Sequence, residues 1–295
     1  MDGSLNPGLK AGLMSTPPIP PATAPLRIRE VMAVRDYPDS PKKGASKPLF
    51  MRCDDDNDYL VKLPVPAWPM ALPNELIGAG LALLANVLIP EPAIVRIPPE
   101  LVAVSAGLQR RGVVAGRYFG SRRLANPIDL ADAIAKHLHP TMVLNREGAA
   151  GIVAFDNWVR NMDRNDGNVL LDAATKSPGS PRFRMFAIDH GLILTGQAWN
   201  PAGLVATSGE RHPVPCHPFV SSCIWDAGEF HRFKETIRTL SEQPIREAVQ
   251  SVPIEWGLTL NAREAATTFL LARRGLIDDI LAAISLAPDT TATAP

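Results

Sequence analysis

Asp163 stands five residues before Asn168, and Asp189 follows at the end of a short apolar run. These residue types in this order suit phosphoryl transfer. One carboxylate orients an attacking hydroxyl and accepts its proton late. An Asn and a second Asp hold Mg2+ on the phosphates of the donor. Mg2+ takes few protein ligands and keeps water and phosphate oxygens, so Asn168 and Asp189 suffice as metal ligands. The first fragment reads Asn161-Met-Asp163-Arg164-Asn-Asp-Gly-Asn168-Val-Leu-Leu171, and the second Phe186-Ala-Ile-Asp189-His-Gly191. An Asp-x4-Asn spacing alone is common; the two fragments together are specific. Gly167 can supply a positive φ before Asn168, so the loop is expected to present Asp163 and Asn168 to one cavity.

Two upstream residues complete such a site. Lys62 lies inside the apolar run Leu60-Val-Lys-Leu63, and Glu75 near the start of an apolar-rich helix, Leu72 to Ala85. A lone charge in a buried strand is costly, and Glu75 can partner it. On these two residues alone, a solvent-facing Lys62 on an edge strand, with Glu75 a helix-start carboxylate, is the better reading; the downstream motif reverses that and favours the pair. Lys62 would then neutralise phosphates as a point charge. The turn Gly44-Ala-Ser46-Lys47 is expected over the phosphates, offering backbone N–H groups and a cation.

The elements that must hold these residues follow from pattern. Leu26–Tyr37, Pro48–Cys53, Tyr59–Leu63, Pro92–Ile97 and Gly112–Gly120 read as strands. Asp54 to Asp58 reads as a solvated hairpin tip, since a calcium loop needs a Gly where Tyr59 stands. Helices are expected at Asn126–His137 and Asn145–Met162, the second ending at the motif. Trp158 falls on its core-facing side. Val169–Leu171 and Phe183–Ile188 should pair as strands around a loop at 173–181. Beyond an irregular stretch lie helices at Asp226–Leu240, Pro244–Val252 and Ala262–Ile284. The fold class is therefore α+β, strand-rich at the N-terminus and helix-rich after it. Residues 1–25 and 286–295, rich in Pro, Ser, Thr and Ala, read as disordered tails.

Composition narrows the function. The chain has 295 residues, 46% hydrophobic, with 30 basic against 30 acidic side chains. That balance gives no electrostatic case for nucleic acid as a partner. Leu76–Pro90, the longest apolar run, spans 15 residues, short of the roughly 20 a membrane span needs. Three cysteines, Cys53, Cys216 and Cys223, match no zinc or disulfide pattern. A cytoplasmic protein is the expectation. His212, Cys216, His217, Cys223 and His231 are too loosely spaced for zinc and read as incidental loop residues.

The two fragments resemble the HipA-like kinases, bacterial relatives of the protein-kinase and phosphatidylinositol-kinase superfamily. The likeness extends through Ser46-Lys47-Pro48, Tyr59-Leu-Val-Lys62, Asn74-Glu75-Leu-Ile77, Pro90-Glu-Pro92 and Phe119-Gly-Ser121, covering roughly residues 44–192. It implies a two-lobed kinase-like fold, with an N-lobe over 26–118 and a C-lobe over 119–285. It implies ATP and Mg2+ as cofactors, Lys62 on the phosphates, Glu75 paired to it, Asp163 as catalytic Asp, and Asn168 and Asp189 on the metal. The segment from Gly116 to Ser121 would be the hinge, with Tyr118 and Phe119 beside adenine. Arg164 follows the catalytic Asp where ordinary protein kinases have an Arg before it, and His190 replaces the usual Phe. The longer N-terminal region of the toxin members does not precede the motif here, so a stand-alone kinase domain is expected. The acceptor implied is a Ser or Thr of a protein, its identity and the oligomeric state left open. The motif is also similar to type II phosphatidylinositol 4-kinases, and a nucleotide-binding pseudokinase is a third reading.

Overall fold

The computed structural model describes residues 28–37, 47–174 and 181–284. Both expected tails, the turn through Gly44 and Ser46, and most of the 173–181 loop lie outside the described residues.

The N-terminal part is built from β1 (Arg29–Asp36), β2 (Leu49–Cys53), β3 (Asp58–Lys62), α1 (Ala71–Leu84), β4 (Pro92–Ile97), two short helices, α2 (Pro99–Val104) and α3 (Ala106–Arg110), and β5 (Gly116–Arg122). Its five strands form a closed barrel in the order β1-β2-β3-β5-β4. Parallel pairing of β1 with β4, from Arg29 opposite Ala93 to Met32 opposite Arg96, closes it. Alternation decides what each face carries. On β3, Tyr59 and Val61 are fully buried in the barrel core with Met51, Val95 and Tyr118. Leu60 and Lys62 point the other way. β3 sits between β2 and β5, so Lys62 is not on an edge strand. The Asp54–Asp58 tip is more ordered than a solvated loop. Asp55 accepts from Asn57 and Tyr59 and pairs with Arg29 at 2.8 Å.

The rest of the chain starts with β6 (Pro127–Asp129) and α4 (Leu130–Ala135), where one continuous helix was expected. Pro127 cannot donate to a helical ladder but sits well on a sheet edge. α5 (Gly148–Val159) precedes the motif, and β7 (Val169–Ala173) and β8 (Phe183–Ala187) follow it. β6, β7 and β8 form a small antiparallel sheet. The stretch read as irregular contains α6 (Pro201–Thr207) and α7 (Pro218–Ser222). α8 (Phe230–Thr239), α9 (Glu242–Gln250), α10 (Leu260–Gly275) and α11 (Ile277–Ala282) complete the chain. No described helix is long and apolar enough to cross a membrane.

α5 is the axis of this part. Every residue from Ala149 to Val159 is buried, packed against α7, α8, α10 and α11. It stops at Arg160, whose φ of 56° is the left-handed turn that ends helices. A helix end leaves carbonyls without partners. Arg273 of α10, fully buried, supplies donors to the carbonyls of Trp158, at 2.9 Å, and Asn157. Burial pushes its guanidinium down to about 10. Arg273→Met strips these carbonyls of donors while keeping bulk. The expected loss of stability is about 2–4 kcal/mol, read from the denaturant midpoint.

Candidate active site

A cleft of about 840 Å³ lies between the barrel and the β6-β7-β8 sheet. Leu60, Leu63, Ala79, Ile89, Phe119 and Leu170 are among its apolar lining residues. Lys62, Glu75, Asn168 and Asp189 line the same cleft. The strand parity that buries Tyr59 and Val61 turns Lys62 toward it. Lys62 Nζ lies 2.5 Å from Glu75 Oε1 and 2.9 Å from Asp189 Oδ1. Glu75 Oε2 accepts the backbone N–H of His190 at 3.1 Å. The Lys-Glu pairing expected from sequence is therefore formed, and it reaches Asp189 as well.

Burial works to lower the Lys62 ammonium, but Glu75 and Asp189 outweigh it and hold it above its ordinary value. Burial pushes Glu75 up from 4.5 to about 7, against the pull of Lys62. Asp189 is held below the usual carboxylate range: burial opposes this, and Lys62 overcomes it. His190 is buried and stays neutral, because burial and the nearby Arg164 and Lys62 charges disfavour its cation.

The motif loop divides its residues between two cavities. Asn168 and Asp189 face the main cleft. Asp163 faces an adjoining groove of about 310 Å³, lined also by Met162, Asn165, Pro215, Cys216 and Pro218. Asp166 borders both. Asp163 and Asn168 thus line adjoining spaces joined at Asp166, and the two side chains are in contact. Asn168 Nδ2 donates to the Asp163 carbonyl and, at 3.0 Å, to Asp163 Oδ2. Asn165 Nδ2 holds Asp163 Oδ1 at 2.9 Å. Gly167 is not left-handed, since Asp166–Asn168 forms a 3-10 turn. The left-handed residue is Asp189, with φ 58°.

Asn168 Nδ2 is committed to Asp163, and among the described residues no donor reaches its Oδ1. That oxygen and the Asp189 carboxylate are hard donors on one cleft, the donor type that Mg2+ takes. Asn168 and Asp189 therefore fit as its ligands, with nucleotide phosphates and water filling the remaining positions.

Other expected positions change. Tyr118 does not line the cleft. It is one residue out of phase with Phe119, so its side chain enters the barrel core, where its hydroxyl donates to the Val114 carbonyl at 2.7 Å. The expected hinge at Gly116–Ser121 is barrel strand, paired with β4 throughout and with β3 from Phe119 on. The connection between the two parts is residues 123–126, with Arg123 and Leu124 on the cleft. Lys47 is exposed and off the cleft lining; its carbonyl accepts from Arg111 Nη1 at 3.2 Å. Pro48 and Phe50 line the cleft at that side. His217 is not incidental. Its Nδ1 accepts backbone N–H groups of Phe219 and Val220, so Nε2 carries the proton and donates to Asp166 Oδ1 at 2.6 Å.

Sequence reasoning gave no role to three further residues. Asn74, fully buried, donates from Nδ2 to the carbonyls of Gly191, Ile193 and Gly196, and its Oδ1 accepts from Trp199 Nε1. Asp156 and Arg164 form a buried pair behind the loop. Only the adjacency of Asn74 to Glu75, and of Asp156 and Arg164 to the motif, hinted at them.

The geometry has counterparts among known proteins. A family model for HipA-like kinases matches residues 39–283. The chain belongs to the HipA-like kinase family. A similar solved structure is that of the Helicobacter pylori proinflammatory kinase CtkA. It aligns with a TM-score of 0.60 at 12% identity, over 87% of this chain and 97% of that one. At that identity the likeness establishes the fold. No curated protein matches the chain.

The raised Glu75 has a testable sign. Unfolded, it loses its proton near 4.5; folded, near 7. Its contribution to stability is full below about 4.5 and is lost as pH rises through about 7. Thermal melts across this range should show wild type falling relative to Glu75→Gln up to about pH 7, then running parallel to it. His190 acts in both proteins and leaves the difference intact.

Proposed function

We propose that this HipA-like kinase moves the γ-phosphoryl group of ATP to a serine or threonine hydroxyl of a protein, with Asp163 as the base. The observation that carries the reading is the chain from Glu75 through Lys62 to Asp189, closed inside a cleft with apolar walls. Adenine would lie between Leu60, Ile89, Phe119 and Leu170, beside the 123–126 connection. Lys62, already oriented by Glu75, would meet the phosphates. Mg2+ held by Asn168 and Asp189 would neutralise charge developing on them.

The adjoining groove gives the acceptor a separate approach. A hydroxyl entering beside Met162 and Pro215 would meet Asp163 and, next to it, the γ-phosphate held at Asn168, in line for attack. Asp163 would orient the hydroxyl and take its proton, its own oxygens fixed by Asn165 and Asn168. The groove is open, and its two basic lining residues are engaged, Arg164 buried on Asp156 and His217 bonded to Asp166. That suits an extended peptide better than an anionic lipid headgroup, which needs cations.

Incubation with γ-labelled ATP and Mg2+ should label a mixed protein acceptor. Asp163→Ala should lower the rate roughly 10²- to 10⁴-fold while keeping nucleotide binding. Asp189→Ala should lose the thermal shift that Mg-ATP gives wild type. Label entering phosphoinositide vesicles but no protein would overturn the acceptor class. Nucleotide binding with no transfer to any acceptor would make the site a binding module.

A further inference from the structure

Arg164 is buried behind the cleft, its side chain 1% exposed and that of Asp156 5%. Its guanidinium is fully employed. Nε and Nη2 donate to the two oxygens of Asp156, at 2.9 and 2.8 Å. Nη1 donates to two backbone carbonyls, those of Asn168 and of Ile188 at 2.6 Å. One carbonyl belongs to a proposed Mg2+ ligand. The other belongs to the residue directly before the second ligand, Asp189. No other described side chain holds both positions.

The consequence is geometric. Asn168 enters β7 and Asp189 follows β8; the Ile188 N–H donates to the Asn168 carbonyl at 3.1 Å, and the separation of the two ligands depends on how that joint is held. A planar guanidinium with donors in a fixed fork sets both at once. Asp189 also needs holding, because a left-handed φ is unfavourable for a residue with a Cβ. Fixing the Ile188 carbonyl fixes the peptide plane that enters it. Asp156 supplies the anchor. It projects from the buried axis α5 and is braced by Asn161 Nδ2 at 2.9 Å. A buried ion pair alone is a poor source of stability against apolar packing, which points away from a purely structural role.

We propose that Arg164 is a positioning residue that sets the spacing of the two cation ligands, with Asp156 as its rigid mount. The assignment rests on the reading of Asn168 and Asp189 as a divalent-cation site. It differs from ordinary protein-kinase architecture in chain order, since the Arg follows the catalytic Asp.

The test reads cation binding apart from turnover. Mn2+ is titrated into the full-length protein with ADP and followed by electron paramagnetic resonance, with ADP affinity measured separately in EDTA. Arg164→Lys keeps the charge and loses the fork. It should raise the half-saturating Mn2+ concentration roughly 10- to 100-fold, with ADP affinity in EDTA within about twofold of wild type. Asp156→Asn keeps Arg164 but weakens its mount, and should shift Mn2+ in the same direction by less. It also serves where Arg164→Lys does not fold. Either variant folded with wild-type Mn2+ affinity overturns the proposal, and a lowered melting temperature with unchanged Mn2+ binding makes the pair merely structural. Failure of the underlying reading looks different: wild type would then bind no Mn2+ that Asp189→Ala removes.

Discussion

The site depends on keeping one ammonium group, Lys62, charged where water is largely excluded. An unpaired cation there would be expelled or neutralised. Its two carboxylate partners come from separate elements, Glu75 from α1 and Asp189 from the turn after β8. The barrel, the helix and the turn after β8 are therefore tied through one atom. The arrangement is asymmetric. Glu75 is nearly inaccessible, whereas the Asp189 side chain is 45% exposed. Glu75 acts as the fixed partner, and Asp189 keeps a face open to the cleft.

The contacts around this pair make α1 a fixed element. Asn74, next to Glu75, takes three carbonyls of the 191–196 segment and one indole N–H. A Cβ at Gly78 would stand 2.4 Å from the Cβ of His190, so the helix and the turn after β8 are in direct contact. On the far side α1 packs on α9. The helix is apolar around its circumference because nearly all of it is enclosed. The same logic recurs behind the motif, where Arg164 and Arg273 satisfy backbone carbonyls in the interior. In both places a guanidinium does what solvent does at a surface: it donates to carbonyls that helix and strand ends leave open.

Much of the site was legible because its chemistry is local in sequence. Asp163, Asn168 and Asp189 sit on one loop and one turn, and Lys62 and Glu75 fall in periodic segments flanking a short connection. The readings that failed concern phase and direction. Tyr118 and Phe119 are adjacent in sequence and opposite in space, and only the pairing of β5 with β3 and β4 says which faces the cleft. The hinge was set too early for the same reason, since β5 runs to Arg122 before the chain leaves the barrel. Gly167 looked like the position needing a left-handed φ, yet the strained backbone is at Asp189, where a strand ends against α1. His217 looked incidental because its partner, Asp166, lies 51 residues away.

The sequence by itself determined the chemistry on offer: a base, two oxygen ligands, a cation and its carboxylate, in an order that resembles one kinase family. It also determined the class of fold, because period-2 segments precede helical ones. Tertiary structure alone decided how these groups are shared out. It put Asp163 on a groove beside the cleft and Asn168 and Asp189 on the cleft itself, with Asp166 bordering both. It also closed the barrel and turned Arg164 inward onto Asp156. Patterns along a chain report which face of an element is apolar. They do not report which face of which neighbour it meets, and that meeting put Asn168 and Asp189 on one cleft and Asp163 on the groove beside it.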